Sequence, residues 1–306
     1  MTDAFITYVR DVRRYSSRTC TLYRSVLENY VSLFGDIPTA ENVRGYEVLL
    51  MDERGMDPRT VNQHLSVLSG YCRFLVKKGV LKSNPVRTVP RPKMSVRLPE
   101  FYREESMKEY FEGTRYRVDG DDMGMPQRYE QRLGRLIVSL LYNTGIRRAE
   151  LLSLTVSSLD RGRSVLRVKG KGDKMREIPL VPSVCDEISL YLQSVDTMVG
   201  CVRTADSPLL VTLKGRALYP VFVDRAVKKE LESVPGITGR KSPHVLRHTL
   251  ATELLSDGAD INSIKEFLGH SSLAATQVYT HNSIEKLLKV YDNAHPRAKN
   301  GGKNGD

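Results

Sequence analysis

His244-Val245-Leu246-Arg247-His248, followed by Leu268-Gly269-His270 and then by Tyr279, holds the densest chemistry in the chain. The surrounding residues read as helices over Pro243–Ser256, Ile261–Phe267 and Leu273–Tyr279. A phenol can act as a nucleophile, an imidazole can move protons, and the fork of an arginine matches phosphate oxygens in pairs. Together these groups point to phosphoryl transfer onto a tyrosine. Any one of the fifteen tyrosines is more often structural than catalytic, so the remainder of the chain has to agree.

Composition agrees in kind. At 306 residues there is room for two domains with their own cores. The net charge of +11 implies a polyanionic partner, with nucleic acid ahead of an anionic membrane surface. No apolar run approaches membrane-spanning length, and Met1-Thr2-Asp3-Ala4-Phe5 lacks a signal-peptide pattern. Cys20, Cys72, Cys185 and Cys201 are widely spaced without metal-type pairing, as expected of reduced thiols in a cytoplasmic protein.

Residues 1–84 read as a helical unit. Ser16 or Ser17 caps a helix carrying Leu22, Val26, Tyr30 and Leu33, which Gly35 stops. Asp57 and Pro58 start another, with Val61, Leu65, Leu68, Cys72 and Leu75 as its apolar stripe and Gly79 beyond its end. Shorter helices fit Phe5–Val12 and Val43–Met51. Arg10, Arg13, Arg14, Arg18, Arg24, Arg59, Arg73, Lys77 and Lys78 form either a solvated helical surface or one that faces a DNA backbone. Residues 85–99 then carry Pro85, Pro90, Pro92 and Pro99 among Arg87, Arg91, Lys93 and Arg97, the composition of a basic domain linker.

Helical signals resume at Glu104–Glu112. Arg115–Gln131 is polar and reads as a loop whose acidic residues lack calcium-loop spacing. An apolar helix over Leu133–Tyr142 ends at Asn143-Thr144-Gly145, and another begins at Ile146. Ser164–Val168 and Met175–Leu180 flank Lys169-Gly170-Lys171-Gly172-Asp173-Lys174, a β-hairpin with a lysine-rich, glycine-flexed tip. Helices follow at Val184–Val195 and Leu218–Leu231. Ser283–Tyr291 reads as an amphipathic tail helix, and residues 292–306 as a disordered tail.

Four motifs in order now carry a family resemblance: Thr144-Gly145-Ile146-Arg147-Arg148-Ala149-Glu150-Leu151, Gly170-Lys171-Gly172, the His244–His248 run, and Leu268-Gly269-His270 with Tyr279-Thr280-His281. Over nearly its whole length the chain resembles the tyrosine recombinases of the phage integrase family. Its end, Tyr291-Asp292-Asn293-Ala294-His295-Pro296-Arg297-Ala298-Lys299, is similar to the Xer subgroup, the XerC type in particular. The resemblance implies a mainly α fold with a small β-sheet: a two-domain, C-shaped DNA clamp. It would join a helical, SAM-like core-binding domain (1–84) through the linker (85–99) to an α+β catalytic domain with its tail helix (100–291).

The resemblance also chooses among candidate roles. Tyr279 would attack a scissile DNA phosphate and leave a 3′-phosphotyrosyl link, while Arg147 and Arg247 would clamp the non-bridging oxygens. Lys171 would protonate the 5′-oxygen leaving group, with Lys169 and Lys174 as close competitors. His244, three residues before Arg247 on one helical face, is the candidate general base or acid, and His248 is structural. His270 would hydrogen-bond a non-bridging oxygen. Glu150 either orients Arg147 or forms an exposed helical ion pair. The His244/His248 spacing alone suggests zinc, but Arg147, Arg247 and Lys171 would repel a cation, so neither metal nor cofactor is expected.

The partners so implied are double-stranded DNA and a homo- or heterotetramer on two sites, with a second, XerD-like recombinase and a DNA translocase, and no membrane. The tail helix would dock on a neighbouring protomer or pack back on its own domain. Resolution of chromosome or plasmid dimers at cell division is the expected role, and mobile-element integration is the alternative with the same chemistry. A relaxase of the type IB topoisomerase kind and a non-catalytic DNA-binding protein on this scaffold are the rivals. The second rival would be expected to lack one or more of the six site residues, and all six are present.

Overall fold

The Ser16 hydroxyl accepts the Thr19 amide at 3.3 Å and opens helix α2 (Ser17–Phe34), which ends where Gly35 adopts a φ of 82°. The structure, a computed structural model, describes residues 1–94, 100–117, 125–170, 173–200 and 203–269. The chain forms two compact units, Met1–Arg97 and Leu98–Asp306.

In the first unit, α1 (Thr2–Thr7) runs on as a wider π-helical turn over Tyr8–Val12, and α3 (Ala40–Val48) does the same over Leu49–Glu53. Helix α4 (Pro58–Lys77) begins as its capping chemistry dictates: Asp57 accepts the amides of Arg59 and Thr60 at 2.8 and 3.1 Å. Phe5, Leu27, Tyr30, Tyr46, Leu65 and Tyr71 lie at the centre of the core. The basic side chains singled out on this unit, from Arg10 to Lys78, are all exposed.

The segment read as a linker begins as part of this core. Pro85–Thr88 forms a 3-10 turn, and Val86 and Val89 are buried against the helices. Asn62 donates to the Pro92 carbonyl at 3.0 Å, and Arg91 donates to the Ser66 hydroxyl at 3.0 Å. Two buried valines outweigh the helix-breaking prolines, which set the path of the backbone without detaching it.

The second unit is built around α6 (Pro126–Thr144), against which α8 (Pro182–Met198), α9 (Pro220–Glu230) and α10 (Pro243–Ser256) pack. Among the described residues, helices α5 (Glu104–Gly113), α7 (Arg148–Leu152) and α11 (Ile261–Phe267) complete the helical part. A three-stranded antiparallel sheet, in the order β1 (Leu159–Asp160), β2 (Val165–Lys169), β3 (Met175–Pro179), holds the expected hairpin plus one short strand. The register pairs Leu166 with Ile178 and Val168 with Arg176.

Helix α6 starts at Pro126, well before the expected Leu133, so the loop read over Arg115–Gln131 is too long. Its first turns look polar because they bury arginines. Arg132 donates to Ser194 Oγ at 3.1 Å, and Arg135 pairs with Glu187 at 3.0 Å with both side chains almost wholly buried. Arg115–Arg117 forms a 3-10 turn, and residues 118–124 lie outside the described residues. The readings of Leu273–Tyr279, Ser283–Tyr291 and the 292–306 tail likewise lie outside them. No helix among the described residues is long and apolar enough to cross a membrane.

Candidate functional site

The site begins where α6 stops. Gly145 takes the left-handed conformation, φ 59°, and its amide bonds the Leu141 carbonyl at 3.1 Å. An added Cβ there would strike Leu268 Cδ2 and come within 3.0 Å of Leu250 Cδ2, so the turn needs glycine for both conformation and space. This tight approach lets the Gly145 carbonyl accept Nη1 of Arg247 from α10.

Arg147 follows as the N-cap of α7. Its amide donates to Glu150 Oε2 at 2.9 Å and its Nη1 to Glu150 Oε1 at 2.8 Å. Its Nη2 reaches the Gly269 carbonyl at 2.9 Å, while Arg247 Nη2 reaches the Leu268 carbonyl at 2.6 Å. The two arginines singled out in the sequence therefore meet at one turn, immediately before His270. Arg247 is 6% exposed, whereas the Arg147 side chain keeps 38% of its surface open, so Arg147 is the one presented to solvent.

Glu150 is buried, not part of an exposed helical ion pair. It also receives Nη1 and Nη2 of Arg176 at 3.1 and 2.7 Å. Sequence reasoning misses Arg176, although a signal for it exists. Two-residue alternation in Met175–Pro179 puts Arg176 on the same face as the buried Ile178, and an arginine on an inward strand face needs a partner.

Two guanidiniums thus bind one carboxylate, and Arg247 is close enough to feel the charge of all three groups. Burial pushes the Arg247 pKa down to about 10, and neighbouring Arg147 and Arg176 push it the same way against the pull of Glu150. Burial pushes the Glu150 carboxyl up, but hydrogen bonds from Arg176 and the Arg147 amide outweigh it and leave the pKa below its ordinary value. At neutral pH the cluster has surplus positive charge in a partly dehydrated place, which suits a doubly coordinated anion such as a phosphodiester.

His244 lies exposed in the first turn of α10. Its Nε2 is 3.1 Å from Nε2 of His248, so one of the two nitrogens is unprotonated and accepts. His248, expected to be structural, is therefore a ring partner of His244. Among the described residues no group of three or more His, Cys, Asp or Glu side chains gathers to hold a metal ion. Lys171, His270 and Tyr279 lie outside the described residues.

The unit is mainly helical with a small antiparallel sheet, and it gathers Arg147 from the cap of α7, Arg176 from β3 and Arg247 from α10 into one cluster with Glu150. The model of the phage integrase family matches residues 126–286. The tyrosine recombinase XerC of Bacillus licheniformis is 34% identical over 308 residues, covering 97% of this chain and 96% of the relative. XerC of Chlorobaculum parvum is 31% identical over 319 residues, covering 97% and 94%. The solved Tn1549 transposon integrase in complex with transposon right-end DNA shares the fold, with a TM-score of 0.67 at 18% identity over 95% of each chain. This chain belongs to the phage integrase family, the tyrosine recombinases.

Proposed function

We propose that the protein is a site-specific DNA recombinase that cuts and rejoins strands through a 3′-phosphotyrosyl intermediate. The observation that carries the reading is the meeting of Arg147 and Arg247 at the Leu268-Gly269 turn, with positive charge left over after Glu150 is satisfied. The phenolic oxygen of Tyr279 attacks the scissile phosphorus and the bond from phosphorus to the 5′-oxygen breaks. His244 takes the phenol proton, Lys171 gives one to the departing 5′-oxygen, and His270 hydrogen-bonds a non-bridging oxygen. Arg147 and Arg247 bind the non-bridging oxygens as charge builds in the transition state.

The phosphotyrosyl ester keeps the energy of the broken phosphodiester. A 5′-hydroxyl from a partner strand then reverses the step, and the cycle balances without cofactor or nucleotide. One nucleophile per strand implies four protomers on two duplexes. Relatives called XerC, aligned over nearly the whole chain, support a role in resolving chromosome or plasmid dimers at cell division in the cytoplasm. The partners then are a second, XerD-like recombinase and a DNA translocase. Residues 1–84 would bind the core sequence and residues 100–291 would carry the chemistry, with the tail helix docked on a neighbouring protomer.

The test uses a duplex chosen by selecting protein-bound fragments from random-sequence DNA, nicked beside the cleavage point so that the cut strand end diffuses away. A covalent protein–DNA adduct is expected with the intact protein and none with Tyr279→Phe, while His281→Ala retains it. An adduct that persists in Tyr279→Phe overturns the nucleophile assignment.

A further inference from the structure

Arg176 has no part in the steps above, yet its guanidinium sits where three segments of the second unit meet. Its place in β3, opposite Val168, turns it to the inner face of the sheet. There it binds both oxygens of Glu150, from the first turn of α7, at 2.7 and 3.1 Å. The same guanidinium lies against two glycines. A Cβ at Gly170, just past β2, would come within 3.3 Å of Nη1, and one at Gly269, just past α11, within 3.1 Å. The Gly170 amide is held by the Lys174 carbonyl at 2.8 Å, and the Gly269 carbonyl accepts Nη2 of Arg147 at 2.9 Å. One largely enclosed side chain therefore binds the acid and lies beside both the hairpin and the turn that Arg147 binds.

We propose that Arg176 is a positioning residue that acts through Glu150 on Arg147. A carboxylate bound by a single arginine can swing about its own bonds. Here the Arg147 amide and guanidinium and both terminal nitrogens of Arg176 occupy its acceptor directions together, which fixes the plane of the carboxylate and with it the fork of Arg147. Exposure separates the roles. The Arg176 side chain is 10% exposed against 38% for Arg147, and both of its terminal nitrogens are spent on Glu150, which leaves Arg147 to meet the anion while Arg176 holds the acid. Arg176 Nε is buried with no hydrogen-bond partner among the described residues, so the guanidinium is held by its two terminal nitrogens on Glu150. The pair of glycines belongs to the same device, because a methyl group on either would crowd the guanidinium.

The inference rests on the strand-cleavage reading, and one experiment separates the two. Single-turnover cleavage of the nicked duplex is measured over a range of DNA concentrations for the intact protein, Arg176→Gln, Arg147→Gln and the double variant. At saturating DNA, Arg176→Gln is expected to cleave about 10- to 100-fold more slowly, since small misplacement of a clamping group costs on this order. Half-saturation should move by less than about 3-fold, because Arg176 does not itself touch the DNA. In the Arg147→Gln background the same change should cost about 3-fold or less, because its effect runs through the missing group. A purely structural residue would instead lower the melting temperature and cost its full factor in both backgrounds.

Where Arg176→Gln does not fold, Arg176→Lys, which keeps the charge but loses the two-pronged geometry, is judged by the same criteria. An Arg176 variant that cleaves at the intact protein's rate, or that multiplies independently with Arg147→Gln, overturns the positioning role alone. An intact protein that forms no adduct on any duplex it binds overturns the recombinase reading itself.

Discussion

Arg147 and Arg247 donate to neighbouring carbonyls, Arg147 to Gly269 at 2.9 Å and Arg247 to Leu268 at 2.6 Å. Residues distant in sequence are thereby tied to one turn, and the positive charge of Arg147 acts on Arg247. Such a concentration of positive charge favours the binding of an anion. Repulsion among Arg147, Arg176 and Arg247 is relieved when an oxyanion fills the open side of Arg147.

The first consequence is stabilisation by simple oxyanions. Sulfate or inorganic phosphate, compared with chloride at equal ionic strength, should raise the melting temperature by about 2–4 °C when well above its dissociation constant. Arg147→Gln should remove most of this rise. Equal melting temperatures in sulfate and chloride for the intact protein would mean that the cluster does not bind oxyanions.

Gly145 carries two demands at once, a left-handed backbone and room for Leu268 and Leu250. Gly145→Ala should lower stability by about 2–4 kcal/mol, adding left-handed strain to overpacking. It should also displace the carbonyl that holds Arg247. Urea denaturation followed by circular dichroism measures the first effect, and a midpoint equal to that of the parent protein would contradict it.

Glu253 in α10 offers a pH-dependent test. Burial, aided by Glu104 and Asp257, pushes its pKa up to about 8, although the Tyr142 hydroxyl donates to it at 2.9 Å. The folded state therefore holds a proton that the unfolded state releases above a pH near 4.5. Stability from this group is fully present below that pH and falls as pH rises toward 8. Glu253→Gln, which keeps an acceptor for Tyr142, should leave stability near pH 4.5 little changed and raise it by about 2 kcal/mol at pH 8.5. Equal effects at the two pH values would show that the carboxyl is not held neutral.

The sequence is most legible where local rules act alone. Asp57 with Pro58, Ser16 with Gly35, and the glycine after Thr144 mark helix ends through backbone chemistry that needs no tertiary context. The hairpin is legible for the same reason, whereas Arg147 and Arg247 stand out from the other arginines only through the family resemblance of the motifs that carry them. The start of α6 is not, because Arg132 and Arg135 look like surface residues until Ser194 and Glu187 arrive from α8 to satisfy them. Residues 85–92 read as linker because prolines mask the burial of Val86 and Val89. Arg176 stays hidden because its importance lies in Glu150, which approaches it from a different element. Long-range pairing of charges leaves little trace in local pattern.

In the proposed reaction the guanidinium cluster neutralises the scissile phosphate, and changing the phosphate itself tests this most directly. Single-turnover cleavage is measured on the nicked duplex and on one in which a methylphosphonate replaces the scissile phosphate, removing its negative charge. On the natural duplex, Arg147→Ala or Arg247→Ala should cost about 1,000-fold or more. On the uncharged duplex the same variants should cost about 10-fold or less, since no anionic oxygen then needs a cation. The same loss on both duplexes would contradict the account.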